Sequence, residues 1–342
     1  MIQGPASQER RRYWLLTSPR TASNLLVKVL NLDEQGVRPA REGGYFFLPC
    51  LPARFNLLQR PMEDWTGEER KDLENRQKEC LSRLEEYIVA ADQEGQLVYV
   101  KEHAIMLTSA FYDSQYSYGT LSIPGEPKTF VTANAPNPTR SSLNLTFLPD
   151  EFLKIWSPTF LIRHPAMQLP SLFRTCLTKM EMDGFSRWQK EPLDIEVTMK
   201  WFRAMYDFYV KHFGEDSQWP IVLDADDIMT SPHLVSKYAG LAGLNQDKLR
   251  FSWEKANQER LNSLSSMEQR MLSTINASSK IDSSKVAGNI NIDEEAAKWR
   301  SEFGEEGGRK LEQWVRDAMP DYTFLHSKRL RVHCVQNCCA AN

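Results

Sequence analysis

The chain has 342 residues, 41% hydrophobic, 25% charged and 11% aromatic, a composition that excludes a disordered, collagenous or coiled-coil protein. Its 42 Lys and Arg against 45 Asp and Glu leave a net charge of −3, so no global positive field exists to hold a nucleic-acid backbone. The longest apolar runs are of strand length, far short of the roughly 20 residues that a membrane helix needs, so no membrane span is expected.

The first residues, MIQGPASQERRR, are basic but are not followed by the apolar core of a secretory signal, which makes the expectation intracellular and cytoplasmic. Six cysteines with no C-x-x-C pair, three of them (Cys334, Cys338, Cys339) in the tail, read as reduced thiols. In that compartment the sequons at Asn144 and Asn276 would not meet the glycosylation machinery. Cys339-Ala340-Ala341-Asn342 formally fits a prenylation box, but asparagine is an uncommon last residue, and the expectation is a protein without a lipid anchor.

Four apolar runs read as buried parallel strands: Tyr13-Trp14-Leu15-Leu16, Leu97 to Val100, Thr159-Phe160-Leu161-Ile162 and Pro220-Ile221-Val222-Leu223. Between them, Leu73, Leu81, Leu84, Ile88 and Ala91 keep helical spacing, and so do Ile195, Met199, Phe202, Tyr206, Tyr209 and Phe213. Alternating strands and helices predict a doubly wound, mainly parallel α/β sheet flanked by helices, as one domain over 1–342. The segment at about 104–158 reads as an insertion, whose Phe111, Tyr112, Tyr116 and Tyr118 either wall an acceptor pocket or pack on the surface. The polar stretch at about 257–293 reads as loop or mobile lid, and 328–342 as a flexible tail.

In such sheets ligands sit beyond the carboxyl ends of the strands. After the first strand, Thr17 to Leu26 forms a hydroxyl-rich turn running into a helix, an arrangement that favours a phosphate or sulfate group; the alternative is a capped helix with no ligand. It lacks the Walker A pattern. After the second strand, Lys101-Glu102-His103 places an imidazole and an ammonium nearby, with a general base and a structural histidine both open. After the third, Arg163-His164-Pro165 is followed by Ser171, an arginine fork and a hydroxyl suited to a terminal phosphate, or else a structural ion pair. After the fourth, Asp224-Ala225-Asp226-Asp227 favours capping and loop organisation over magnesium binding. The stripe Trp201, Phe202, Met205, Tyr206 and Phe213 reads as core rather than as pocket wall.

Together these four strand ends resemble the sulfotransferase family that uses 3′-phosphoadenosine 5′-phosphosulfate (PAPS), especially its fungal sulfotransferase-like members. Tyr13 to Leu26 resembles the family's strand, 5′-phosphosulfate loop and helix. Phe160 to Pro165, with Ser171 eight residues after Arg163, resembles its 3′-phosphate site. Lys101-Glu102-His103 resembles the K-T-H element that carries the catalytic histidine. The Asp224 to Leu244 stretch is similar to the family's acidic strand end and following helix. Ser283 to Gly288 is similar to the late basic loop over the 3′-phosphate, without its usual arginine-lysine-glycine run. Two departures stand out: Ala22 replaces the loop glycine and Asn24 replaces a hydroxyl.

The resemblance implies a P-loop-type nucleotide fold and sulfuryl transfer from PAPS, without a metal, to a hydroxyl or amine of a small apolar or aromatic metabolite. It implies His103 as general base, Arg20 and Lys101 as catalytic cations, and Arg20, Thr21, Ala22, Ser23, Asn24, Arg163, Ser171, Lys285 and Gly288 as the residues holding PAPS or its product PAP. Two other readings stay open. One is a sulfotransferase-fold enzyme catalysing elimination or cyclisation without net sulfation; the other is a non-catalytic nucleotide-binding protein. The sequence does not specify the acceptor or the oligomeric state.

Overall fold

The computed structural model describes residues 12–40, 42–119, 127–178, 180–182, 185–187, 190–264 and 266–332. The tail cysteines Cys334, Cys338 and Cys339, the prenylation-like sequence and most of the basic N-terminal segment lie outside the described residues.

Strand β1 (Arg12–Thr17) leads through a short turn into α1 (Ser23–Leu30), and α2 (Leu51–Leu57) precedes the long α3 (Gly67–Gln93). Thr66 starts α3 with a reciprocal capping box to Glu69, and Leu73, Leu81, Leu84, Ile88 and Ala91 form its buried face, as their spacing predicts. Strand β2 (Val98–His103) is followed by α4 (Ala104–Leu107), α5 (Ala110–Tyr118) and α6 (Asp150–Lys154). Strand β3 (Ser157–Ile162) runs into α7 (Pro165–Leu177), which has Pro165 in its first turn and the His164 ring accepting from the Ala166 N–H. A small hairpin, β4 (Met180–Met182) and β5 (Phe185–Arg187), and α8 (Lys200–Phe213) come before β6 (Ile221–Asp224). The chain continues through α9 (Ala225–Thr230), α10 (Pro232–Leu241), α11 (Gln258–Asn262), α12 (Ser266–Ala277) and α13 (Ile292–Ser327).

The main sheet has the order β2-β1-β3-β6, and every pairing in it is parallel. Register sets Thr17 beside His103, Leu16 beside Phe160 and Ile162 beside Asp224. All four carboxyl ends therefore meet along one edge, where crossover connections leave a crevice. Side chains alternate between two cores. Trp14, Leu16, Val98, Val100, Phe160 and Ile162 face one core together with α3, α7, α8 and α13. Tyr13, Leu15, Tyr99, Leu161 and Leu223 face another with α1, α9 and α10. Helices on both faces make this the doubly wound α/β architecture expected from the strand pattern.

The α8 stripe is core: Trp201, Phe202, Met205 and Tyr206 are buried, and Phe202 and Tyr206 each meet Phe160 edge-on at 5.7 Å. The aromatics after β2 pack at the surface instead of walling the main cavity. Tyr116 lies against Trp201, Tyr118 donates to the Leu58 carbonyl and Tyr112 sits under the Arg140 guanidinium. Of the loop or mobile lid expected at 257–293, the loop half is corrected: the stretch carries α11 and α12, because within its polar composition Met271, Leu272 and Ile275 hold helical spacing and turn one apolar stripe inward.

Candidate active site

A cavity of about 700 Å³ opens at the carboxyl edge of the sheet. The β1–α1 turn, the end of β2, the start of α7 and the 278–285 segment form one side. Met271, Leu272, Thr274 and Ile275 of α12 form the cover, and Leu48, Leu51, Phe55, Ile105 and Met106 line an apolar end.

The β1–α1 turn takes its shape from two left-handed residues, Arg20 at φ 70° and Ala22 at φ 65°. The turn thus keeps a glycine-like backbone with an alanine in it, at a cost of about 1–2 kcal/mol. Ala22 opens α1 and offers no side-chain cap, so the positive end of the helix is left to the cavity. The Thr21 hydroxyl is spent on the Ser18 carbonyl at 2.9 Å. Thr21 is buried in the turn and does not line the cavity, whereas Arg20, Ala22, Ser23 and Asn24 do.

Arg20 donates from Nε to Ser171 Oγ at 2.9 Å and from Nη1 to Met271 Sδ at 3.8 Å. Arg163 donates from Nη1 to the Arg20 carbonyl at 3.0 Å and from Nη2 to the Lys285 carbonyl at 2.9 Å. The expected Arg163–Ser171 pairing is thus built through Arg20. Arg163 Nε is buried with no hydrogen-bond partner among the described residues. Burial lowers the pKa of both guanidiniums; Arg270 and Arg163 push Arg20 further down, while Asp226 and Asp224 partly offset the shift at Arg163. Crowded cations, an orphaned buried N–H and an uncapped helix start together fit an anionic group.

Lys285 reaches Thr274 Oγ1 at 3.2 Å. Gly288 stands outside the cavity wall, and its N–H, with that of Ala287, is held by the Asp226 carboxylate at 2.9–3.1 Å. Asp224 caps α9 through the Asp226 N–H, and Asp227 pairs with Arg329 at 2.8 Å. These acids therefore organise the helix start and the late loop, and no cluster of metal-ligating side chains occurs among the described residues.

At the end of β2, Lys101 donates to Asn24 Oδ1 at 2.7 Å and lies 4.4 Å from the centroid of the Tyr45 ring. The departure at Asn24 is thereby accounted for: its amide oxygen holds the ammonium in place. Burial pushes Lys101 down to about 8. His103 contacts Thr17 Oγ1 through Nδ1 at 2.6 Å and the Tyr45 hydroxyl through Nε2 at 3.2 Å. Thr17 Oγ1 also lies 3.1 Å from the Glu102 carbonyl; with its proton turned there it accepts from Nδ1–H, the tautomer that leaves Nε2 without a proton. Burial, helped by Lys101, pushes His103 down to about 3.

Sequence reasoning missed three contributors, Tyr45, the role of Glu102 and Trp253, and of the α12 cover it missed the helical form. Glu102 is fully buried and its Oε1 accepts the N–H groups of Phe46 and Phe47, the latter at 2.9 Å. Burial raises its pKa well above the usual carboxylate range. Trp253 lines the cavity, its indole N–H donating to the Ile275 carbonyl at 3.4 Å. The signal for Tyr45 was the Gly43-Gly44 pair ahead of Tyr45-Phe46-Phe47. Gly44 has φ 96°, and a Cβ there would stand 3.3 Å from the Lys101 backbone nitrogen.

No family model matches the chain. Two curated relatives do. Sulfotransferase ppzF of Metarhizium rileyi (strain RCEF 4871) is 38% identical over 336 residues, covering 94% of this chain and 96% of the relative. Sulfotransferase ppzF of Metarhizium majus (strain ARSEF 297) is 38% identical over 338 residues, covering 94% and 97%. Identity at this level over nearly the whole of both chains means that the chain belongs to the sulfotransferase family.

Proposed function

We propose that the protein is a PAPS-dependent sulfotransferase that sulfates a hydroxyl or amine of a small apolar or aromatic metabolite. The observation that carries this reading is the convergence of Arg20, Arg163, Ser171, the uncapped start of α1 and His103 on one cavity. When bound, PAPS supplies a sulfuryl group joined through an anhydride to its 5′-phosphate. In this reading Arg20 and the N–H groups opening α1 hold the 5′ end, with Arg20 placed to offset charge growing on the leaving phosphate oxygen. Arg163 and Ser171 grip the 3′-phosphate, Lys285 closes over it, and Trp253 offers a face for the base. Lys101 adds positive charge on the sulfuryl side, and His103, neutral with Nε2 bare, takes the acceptor's proton. The apolar end formed by Leu48, Leu51, Phe55, Ile105 and Met106 receives the acceptor.

The rival of elimination or cyclisation drew on the departures at Ala22 and Asn24. Ala22 held left-handed and Asn24 engaged with Lys101 favour a working donor loop over an abandoned one. No described helix is long and apolar enough to cross a membrane, and Cys50, Cys80 and Cys176 are buried thiols, which suits a reducing cytoplasm. Isothermal titration tests the donor site: PAP binds more tightly than ADP, and Arg163→Ala erases a preference of about 10- to 150-fold, the effect of one charged hydrogen bond. Equal binding of PAP and ADP by the wild-type protein refutes the assignment.

A further inference from the structure

The lone pair that the proposed base would use is already engaged. With the Thr17 proton turned to the Glu102 carbonyl, His103 carries its own proton on Nδ1, and the Tyr45 hydroxyl, 3.2 Å from Nε2, is the donor there. Tyr45 is also held more firmly than a loop tyrosine needs to be. Glu102 anchors the two N–H groups that follow it, Gly44 lets the segment close on the Lys101 backbone, and the Lys101 ammonium lies over its ring. The ring lines the same cavity as His103, Ser23 and Leu48, so a hydroxyl in contact with Nε2 belongs to a side chain that borders the space open to an acceptor.

We propose that Tyr45 relays the acceptor's proton to His103. The inference rests on the sulfotransferase reading above. As the acceptor oxygen forms its bond to sulfur, the sulfur–oxygen bond to the 5′-phosphate breaks and its electron pair leaves with that phosphate. The acceptor's proton passes to the Tyr45 oxygen while the Tyr45 proton passes to Nε2, so tyrosine ends neutral and His103 ends as imidazolium. Burial raises the Tyr45 pKa, so the tyrosine passes its own proton on as it receives the acceptor's and does not stand as a free phenolate.

The test compares wild type, Tyr45→Phe, His103→Ala and the double variant. Phenylalanine keeps the ring under Lys101 and removes only the hydroxyl. NMR of the histidine ring nitrogens, with the His103 signals assigned from His103→Ala, reads the hydrogen bond without turnover. In Tyr45→Phe the Nε2 resonance moves toward that of an imidazole nitrogen lacking a donor, while Nδ1 stays protonated and PAP affinity holds. With PAPS and a panel of phenols as probes, Tyr45→Phe lowers kcat about 10- to 100-fold with little change in KM, and adds no loss in the His103→Ala background. An unmoved Nε2 resonance, unchanged or raised turnover, or a loss that adds to that of His103→Ala overturns the relay. A wild-type protein that fails to bind PAP while the resonance still moves refutes the sulfotransferase reading, and the relay with it, but leaves the hydrogen bond standing.

Discussion

Ala22 shows how a position that breaks the family's sequence pattern keeps its backbone. At φ 65° it carries a left-handed penalty of about 1–2 kcal/mol, against the roughly 0.5–1 kcal/mol of extra chain entropy that glycine would lose on folding. Ala22→Gly is therefore expected to stabilise the protein by about 0.5–1 kcal/mol in urea unfolding, with PAP affinity kept; a destabilised variant would mean that the methyl group contributes packing that outweighs the strain. The two titrating groups at the end of β2 give a pH signature. His103, held down to about 3, stays neutral far below the ordinary histidine value of 6.5. Lys101 loses its charge above about 8. If these residues act as proposed, kcat/KM stays level from about pH 5 to 8 and falls on the basic side, and Lys101→Arg carries the basic limb upward. An acid limb near 6.5 that vanishes in His103→Asn would contradict the buried, neutral imidazole.

Among the elements, β2 does more than its six residues suggest. Its last three side chains face three tasks: Lys101 toward Asn24, Glu102 toward the Phe46 and Phe47 amides, and His103 toward Thr17 and Tyr45. Lys101 and His103, which line the cavity, were legible as site candidates because ionisable groups at the end of a buried strand are unusual. Glu102 was not, since its role depends on a loop more than fifty positions earlier folding back onto β2. Glu102→Ala strands two N–H groups and is expected to cost about 2–4 kcal/mol in urea unfolding, while Glu102→Gln, whose amide oxygen still accepts, costs less than half as much. Equal losses from the two substitutions would show that the side chain acts through charge rather than as an acceptor. Helix α12 was hidden for a different reason. Polar residues outnumber apolar ones along it, and Met271, Leu272 and Ile275 have meaning only against the cleft they cover.

At the scale of the molecule, the four central strands were readable because a parallel sheet buried on both faces leaves nearly continuous apolar runs, and the resulting order β2-β1-β3-β6 brings their ends together. The distribution of the remaining aromatic residues was not readable in the same way. Trp201 and Tyr206 lie in the core while Tyr45 and Trp253 meet the cavity, and residue type alone does not separate the two. The sheet edge brings Arg20 and His103 to a single cleft, which is what the proposed transfer requires. Its most direct test is incubation with radiolabelled PAPS and a panel of phenols, comparing wild type with Arg20→Ala and Arg20→Lys. The account predicts label on the product, a loss of about 10²–10³ in turnover for Arg20→Ala and much of the rate kept by Arg20→Lys. Conversion of an acceptor at full rate in PAPS-free buffer, to a product without sulfur, would contradict it.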